Sequence, residues 1–156
     1  MTSGDSNTTT RSVASPLART GQRLVTGAHA FLYRLTGGAI GGTMFNSPVL
    51  LLTTTGRKSG KQRTAPLLYI KDGDNLAIIA SNGGADRPPT WWLNLKGNPE
   101  AQVQIGRTVR RVKAEQADPT EKQRLWPILA KMYPTYDEYQ KKTTREIPVV
   151  ILRPLS

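Results

Sequence analysis

Residues 49–81 read VLLLTTT, GRKSGKQR, TAPLLYIK, DGDN and LAIIAS in succession, and this stretch decides the fold. Three blocks are rich in leucine, isoleucine and threonine. Between them stand two blocks built from Gly, Asp, Asn, Lys and Arg, the composition of turns joining strands. No helical period interrupts the run, so the three strands follow one another as an antiparallel meander and not as βαβ units.

Towards the C-terminus the chain loosens into Asn82-Gly83-Gly84-Ala85-Asp86-Arg87-Pro88-Pro89. Thr90 is placed to cap a short helix over Trp91–Lys96, which Gly97-Asn98-Pro99 stops. Two strands are expected near Ala101–Ile105 and Thr108–Glu115. An acidic, proline-led start at Asp118-Pro119-Thr120-Glu121 opens a helix through Leu125, Ile128, Leu129 and Met132. Pro134 restarts a short helix carrying Tyr136 and Tyr139, and a strand over Ile147–Leu152 closes the fold. Towards the N-terminus, residues 1–15 are a polar arm with too little apolar surface to offset the entropy of ordering. Residues 16–35 place Leu24, Ala28, Phe31 and Leu35 at helical spacing. Arg19, Arg23 and Arg34 on that helix suit either a cover for the sheet or a peripheral contact with a membrane surface. About six strands and four helices result: an α+β, mainly antiparallel fold, simplest as a six-stranded barrel with surrounding helices in one domain over residues 16–156.

The composition removes several chemistries. With no cysteine in 156 residues, disulfides, thiolate metal sites and thiol nucleophiles are excluded. The only histidine, His29, sits in the apolar helical stripe, which leaves no serine-histidine-acid triad. The acids are few and sit in turns, which argues against a paired-carboxylate glycosidase or a carboxylate metal cage. A net charge of +11 favours an anionic partner: nucleic acid, acidic lipid or a phosphorylated small molecule. If the chain is an enzyme, a bound cofactor supplies the hard chemistry. No secretory signal or membrane-length apolar run is seen, which points to the cytoplasm.

Three segments are candidates for a site. The turn Gly56–Arg63 packs Arg57, Lys58, Lys61 and Arg63 around two glycines. It is an anion cradle by composition, although a solvated basic hairpin tip has the same one. It is no Walker loop, because Gln62 follows Gly60-Lys61 where a hydroxyl residue is required. Ser81-Asn82-Gly83-Gly84 lies at a strand end, where backbone amides and a hydroxyl can meet a ring carbonyl or a phosphate. Trp91 and Trp92 are adjacent on a helix, so one ring can enter the core while the other faces a ligand. Tyr133, Tyr136 and Tyr139 step by three around one helical face, as a clamp for a flat ring or as anchors of the helix.

Taken in order, Leu52-Thr53-Thr54-Thr55-Gly56-Arg57-Lys58-Ser59-Gly60, Arg63, Pro66-Leu67, Ala80-Ser81-Asn82-Gly83-Gly84, Trp91, Leu93-Asn94-Leu95, Asn98-Pro99 and Met132-Tyr133-Pro134 resemble the deazaflavin-dependent nitroreductase and quinone reductase family of actinobacteria. The resemblance implies the split β-barrel also found in FMN-binding oxidases. It implies reduced coenzyme F420, a deazaflavin with a phosphate and an oligoglutamate tail, as cofactor, and a quinone or nitroaromatic as hydride acceptor. Position by position, it implies that Arg57, Lys58, Ser59, Arg63, Thr64, Ala65, Pro66 and Leu67 line the phosphate and tail side, with Leu68 also in contact with the cofactor. Ile79, Ala80, Ser81 and Asn82 then lie beside the ring, and Thr90, Trp91, Trp92, Leu93, Asn94 and Tyr136 complete the cofactor site. Leu68, Ser81, Tyr133, Tyr136 and Tyr139 form the acceptor pocket, with Ser81 and Tyr136 as the catalytic hydrogen-bonding pair and no metal. Two departures stand out: Asn82 occupies a position where the best-known family member has Lys, and Leu68 one where it has Tyr.

The competing readings are an FMN-dependent oxidoreductase on the same barrel and a non-enzymatic deazaflavin carrier. Nucleic-acid binding has the charge but no recognition motif, and none is expected. A menaquinone-type acceptor suits a helix that touches the membrane.

Overall fold

The computed structural model describes residues 43–44 and 47–155. The expected polar arm over 1–15 and the amphipathic helix over 16–35 lie outside the described residues. The strands, all paired antiparallel, are β1 (Thr43–Met44), β2 (Ser47–Thr55), β3 (Gln62–Leu68), β4 (Ile70–Asp72), β5 (Asn75–Ile79), β6 (Glu100–Ile105), β7 (Thr108–Gln116) and β8 (Val149–Pro154). Three helices accompany them: α1 (Thr90–Gly97), α2 (Pro119–Met132) and α3 (Thr135–Lys141).

The order across the sheet is β1-β2-β6-β7-β8-β5-β4, with β3 on the other edge of β2. β3 and β4 are halves of one bent strand that meet at Tyr69, whose N–H still donates to Pro48 O of the β2 side at 3.3 Å. That strand therefore pairs first with β2 and then with β5, joining both ends of the sheet into a barrel. Counted so, the barrel has the six principal strands expected. It remains split between β3 and β5, since β3 pairs with β2 alone among the described strands. Pro66 sits in β3 without penalty, because an edge strand can spare an N–H.

Alternation sorts the side chains into two layers. Leu50, Leu52, Leu76, Ile78, Val103, Val112, Val150 and Leu152 fill the barrel, and Trp92 and Leu95 of α1 join them. The intervening Ala77, Ile79, Val149 and Ile151 face outward, where Leu125 and Leu129 of α2 and Tyr136 of α3 cover them. Each fully buried leucine in these layers contributes about 1.5–3 kcal/mol of transfer free energy. Helix α2 begins with a capping box: Asp118 Oδ1 accepts from Glu121 N at 2.7 Å, and Glu121 Oε1 accepts from Asp118 N at 3.5 Å.

Two boundaries differ from expectation. Thr90 does not cap α1; extended Pro89 holds the N-cap position, its carbonyl accepting from Trp92 N, and Thr90 is the first helical residue. A proline ahead of the helix sets the entry direction by its fixed φ, so no hydroxyl cap is needed. Strand β5 ends at Ile79 and not at Ser81, because Ser81 turns into the right-handed helical region. No helix among the described residues is long and apolar enough to cross a membrane.

Asp72, at the tight β4–β5 turn, holds a two-pronged ion pair with Arg124 of α2, both contacts at 2.9 Å. The hydrogen bonds from Arg124 lower the Asp72 pKa, with burial opposing. A carboxyl whose folded pKa is depressed stabilises the fold above its unfolded pKa, and that contribution is lost as pH falls through the folded value. The stability margin of the wild type over Arg124→Met should therefore be present at neutral pH and shrink once the pH drops below about 4. Thermal unfolding across that range checks it, and a margin unchanged in acid would show that the pair is not its source.

Candidate active site

The barrel's split separates two banks. The first is the turn between β2 and β3. Gly56 N donates to Lys61 O at 2.7 Å and Gly60 N to Gly56 O at 2.8 Å. A Cβ on Gly56 would stand 2.8 Å from Ser59 Oγ and 3.0 Å from the Lys61 carbonyl, so the turn closes only around glycine. Ser59 Oγ is spent inside the turn, accepting from Lys61 N at 3.2 Å. Arg57, Lys58, Lys61 and Arg63 are exposed, and none forms an ion pair among the described residues. Arg111, Lys122, Arg124, Lys141 and Arg153 elsewhere all have acidic partners. The turn thus presents four exposed cations without an acidic partner among the described residues.

Asn94 of α1 holds this bank from behind. It is 2% exposed; its Oδ1 accepts from Arg57 N at 3.1 Å, and its Nδ2 donates to Thr54 Oγ1 at 3.1 Å. Both ends of the amide are committed to the protein, so Asn94 shapes the turn without presenting a polar group to the cleft. Trp92 packs into the barrel and Trp91 is half-buried against the same cluster. Along β3, residues Thr64 to Leu68 are half-exposed. Leu67 packs with the interior layer and Leu68 with the outer one.

The second bank is the end of β5. Ala80 N still donates to Pro148 O on the β8 side at 3.1 Å. Ser81 then takes φ −81° and ψ −36°, Asn82 takes φ +47°, and the 3-10 turn Asn82–Gly84 follows. A right-handed residue followed by a left-handed one forms a nest of converging backbone N–H groups. The amides of Ser81, Asn82 and Gly83 have no acceptor among the described residues. Gly84 is forced, since a Cβ there would stand 2.7 Å from Tyr139 O. The Asn82 side chain folds back on its own loop, donating to Arg87 O at 2.9 Å.

The three tyrosines meet beside this bank. The Tyr133 and Tyr136 rings pack edge to face with centroids 5.0 Å apart, and the Tyr133 and Tyr139 hydroxyls are 3.3 Å apart. Leu68 and Ile79 belong to the same cluster. The shared hydrogen bond with Tyr133 raises the Tyr139 pKa, and burial raises that of Tyr136. Both phenols are neutral donors at physiological pH. Tyr136 is 5% exposed and its hydroxyl has no partner among the described residues.

The predicted residues fall into two groups: Arg57, Lys58, Ser59 and Arg63 on the β2–β3 turn backed by Asn94, and Ile79 to Asn82 at the end of β5 near Leu68 and the tyrosines. Exposed Thr90 and half-buried Leu93 lie on α1. Sequence reading missed the buried clamp role of Asn94, the enforced Gly84, and Arg145, which reaches the loop from 60 residues away. Replacing Asn94 with Leu, which keeps the volume, strands Arg57 N–H and the Thr54 hydroxyl. It should destabilise the protein by about 2 kcal/mol and weaken anion binding at the turn, both read by denaturation and titration.

The sequence profile of the F420H(2)-dependent quinone reductase family matches residues 25–154. A Mycobacterium tuberculosis protein provisionally named as such a reductase is 47% identical over 107 residues, covering 69% of this chain and 90% of its own length. An F420H(2)-dependent quinone reductase of the same organism is 41% identical over 128 residues, covering 80% of this chain and 86% of the relative. Among solved structures, an F420-H2 dependent reductase superposes with a TM-score of 0.63 at 41% identity, over 68% of this chain and 94% of that one. A Listeria innocua protein of the pyridoxamine 5'-phosphate oxidase type, at 15% identity and a TM-score of 0.51 over 86% of this chain and 94% of that one, shares the fold alone.

Proposed function

The chain belongs to the F420H(2)-dependent quinone reductase family, and on that premise we propose that it binds reduced coenzyme F420 across the split of its barrel and reduces a quinone held against the tyrosine cluster. The Gly56–Arg63 turn carries this reading: four cations without acidic partners on a glycine-shaped backbone suit the phosphate and glutamate tail of that coenzyme. Arg57 and Arg63 can fork onto phosphate oxygens, while Lys58 and Lys61 add point charge. The free amides of Ser81, Asn82 and Gly83 suit a ring carbonyl, and Trp91 and the open edge of β3 supply the wall between the two ends.

Bound there, the reduced deazaflavin supplies a hydride, two electrons and one hydrogen. The protein's own part is to position, exclude water and manage charge. A quinone that receives a hydride gains one negative charge on oxygen and needs one proton to become the quinol. The Ser81 hydroxyl, the free amides of its loop and the neutral Tyr136 hydroxyl are the donors that meet this charge. No carboxylate or imidazole takes part in the site so described. Leu68 gives the acceptor side an aliphatic wall in place of a phenol. Nitroaromatics, flat and electron-poor like quinones, are the second acceptor class of the same pocket.

Titration of the purified protein with coenzyme F420 and, separately, FMN, followed by menadione, tests the reading. We expect micromolar F420 binding that weakens roughly tenfold in Lys58→Ala, as loss of one charge-assisted contact should, and oxidation of the bound coenzyme on adding quinone. FMN binding alone, or F420 binding without turnover, would refute it. Tyr136→Phe removes a buried hydroxyl that has no partner among the described residues, so the variant should be as stable as the wild type or more so, while turnover falls. Unchanged turnover in Tyr136→Phe and in Ser81→Ala would remove both residues from the chemistry.

A further inference from the structure

Arg145 lies between α3 and β8, outside every motif singled out in the sequence. Its guanidinium gathers three carbonyls of the second bank. Nη2 donates to Ser81 O at 2.8 Å, Nε to Ala85 O at 2.9 Å, and Nη1 and Nη2 both reach Ala80 O at 3.4 Å. No carboxylate forms an ion pair with it among the described residues, so its charge is directed at the peptide groups of this loop. Arg145 acts from the β8 side, the side to which Ala80 N also donates. In a planar trans peptide the carbonyl and the following N–H point in opposite directions. Holding the Ala80 and Ser81 carbonyls toward Arg145 therefore turns the N–H groups of Ser81 and Asn82 away from it. A nearby cation also polarises those peptides and strengthens their N–H groups as donors.

We infer that Arg145 is a positioning residue: it sets the Ser81 and Asn82 amides as donors to a negatively polarised oxygen in the cleft. The inference rests on the function proposed above and adds to it the group that keeps the nest aimed. The oxygen belongs either to the cofactor ring or to the acceptor, and the two are separable by experiment. Lysine cannot replace the fork, because an ammonium cannot span three carbonyls.

The test compares Arg145→Met, Arg145→Lys and Thr143→Val in the full chain, at a temperature where all are folded. Thr143 Oγ1 donates to Asp86 Oδ1 at 2.7 Å and accepts from Arg145 N at 3.3 Å, so Thr143→Val releases the loop's other tether and a backbone bond of Arg145 while leaving the guanidinium and its carbonyl contacts chemically intact. Arg145→Met should lower kcat on the order of tenfold or more, with Arg145→Lys between it and the wild type and Thr143→Val within about twofold of the wild type. If the oxygen is the cofactor's, the absorption band of the bound ring in Arg145→Met moves back towards its free position. If it is the acceptor's, the band stays and kcat alone falls. Without any ligand, exchange of the Gly84 and Ala85 amides, which donate to Ser81 O and Asn82 O, should quicken in Arg145→Met. Wild-type kcat and band in Arg145→Met, an equal loss in Thr143→Val, or unchanged amide exchange would each overturn the inference. Failure of the wild type to bind the coenzyme would overturn the proposed function instead, and the exchange measurement would still judge Arg145.

Discussion

Between Leu68 and Ile70 the chain leaves one strand partner for another, and most of what the protein can do depends on that exchange. Up to Leu68 it is hydrogen-bonded to β2, and from Ile70 it is hydrogen-bonded to β5. A barrel closed by one bent strand has an interior that side chains fill completely, which here means the leucine, isoleucine and valine layer sealed by Trp92 and Leu95. Yet it also has an edge along β3 where the ladder is not continued. Backbone groups on such an edge must be met by water or by a ligand. The open edge is therefore a direct consequence of how the sheet is closed.

Both banks are built alike. A polar side chain behind the backbone binds it, and the face in front stays free. Asn94 spends its amide on Arg57 N and Thr54 Oγ1, and Arg145 spends its guanidinium on three carbonyls. The Asn94 contacts and the Arg145–Ser81 contact are buried or half-buried, where donors have few competitors, whereas the Arg145–Ala85 contact is exposed. The loops stay tight while their exposed cations and free amides remain unsatisfied. Tyr136 and Tyr139 follow the same logic in apolar form: burial of the first and the Tyr133 hydrogen bond to the second raise their pKa values beside the loop.

Much of the fold was legible. The strands over 49–81 announce themselves by β-branched and apolar blocks between Gly-Asp-Asn turns, and the α2 start by Asp118, Pro119 and Glu121. These are local signals, decided within a few residues. The misjudged boundaries fall where a local preference yields to packing. Ser81 leaves the strand because Gly84 must lie against Tyr139 and Arg145 draws in the carbonyls. Thr90 has the composition of a cap, but Pro89 has the geometry. On the site side, Arg57, Lys58 and Arg63 were visible as charge and Tyr136 as spacing. Asn94 was visible only as part of a resemblance, and its buried clamp was not visible at all.

By itself the sequence determined the antiparallel strand blocks, the basic turn, the lack of any cysteine, and the family, because each of these is written in residue type and short-range order. Only the tertiary structure decided which cations lack acidic partners, which amides are left free, and which side chains stand behind the loops. Those properties arise from contacts between residues 37 to 65 positions apart, Asn94 with Arg57 and Arg145 with Ala80. No local pattern encodes such pairings, since chain closure over that distance is stabilised by the packed barrel as a whole and not by the residues that meet.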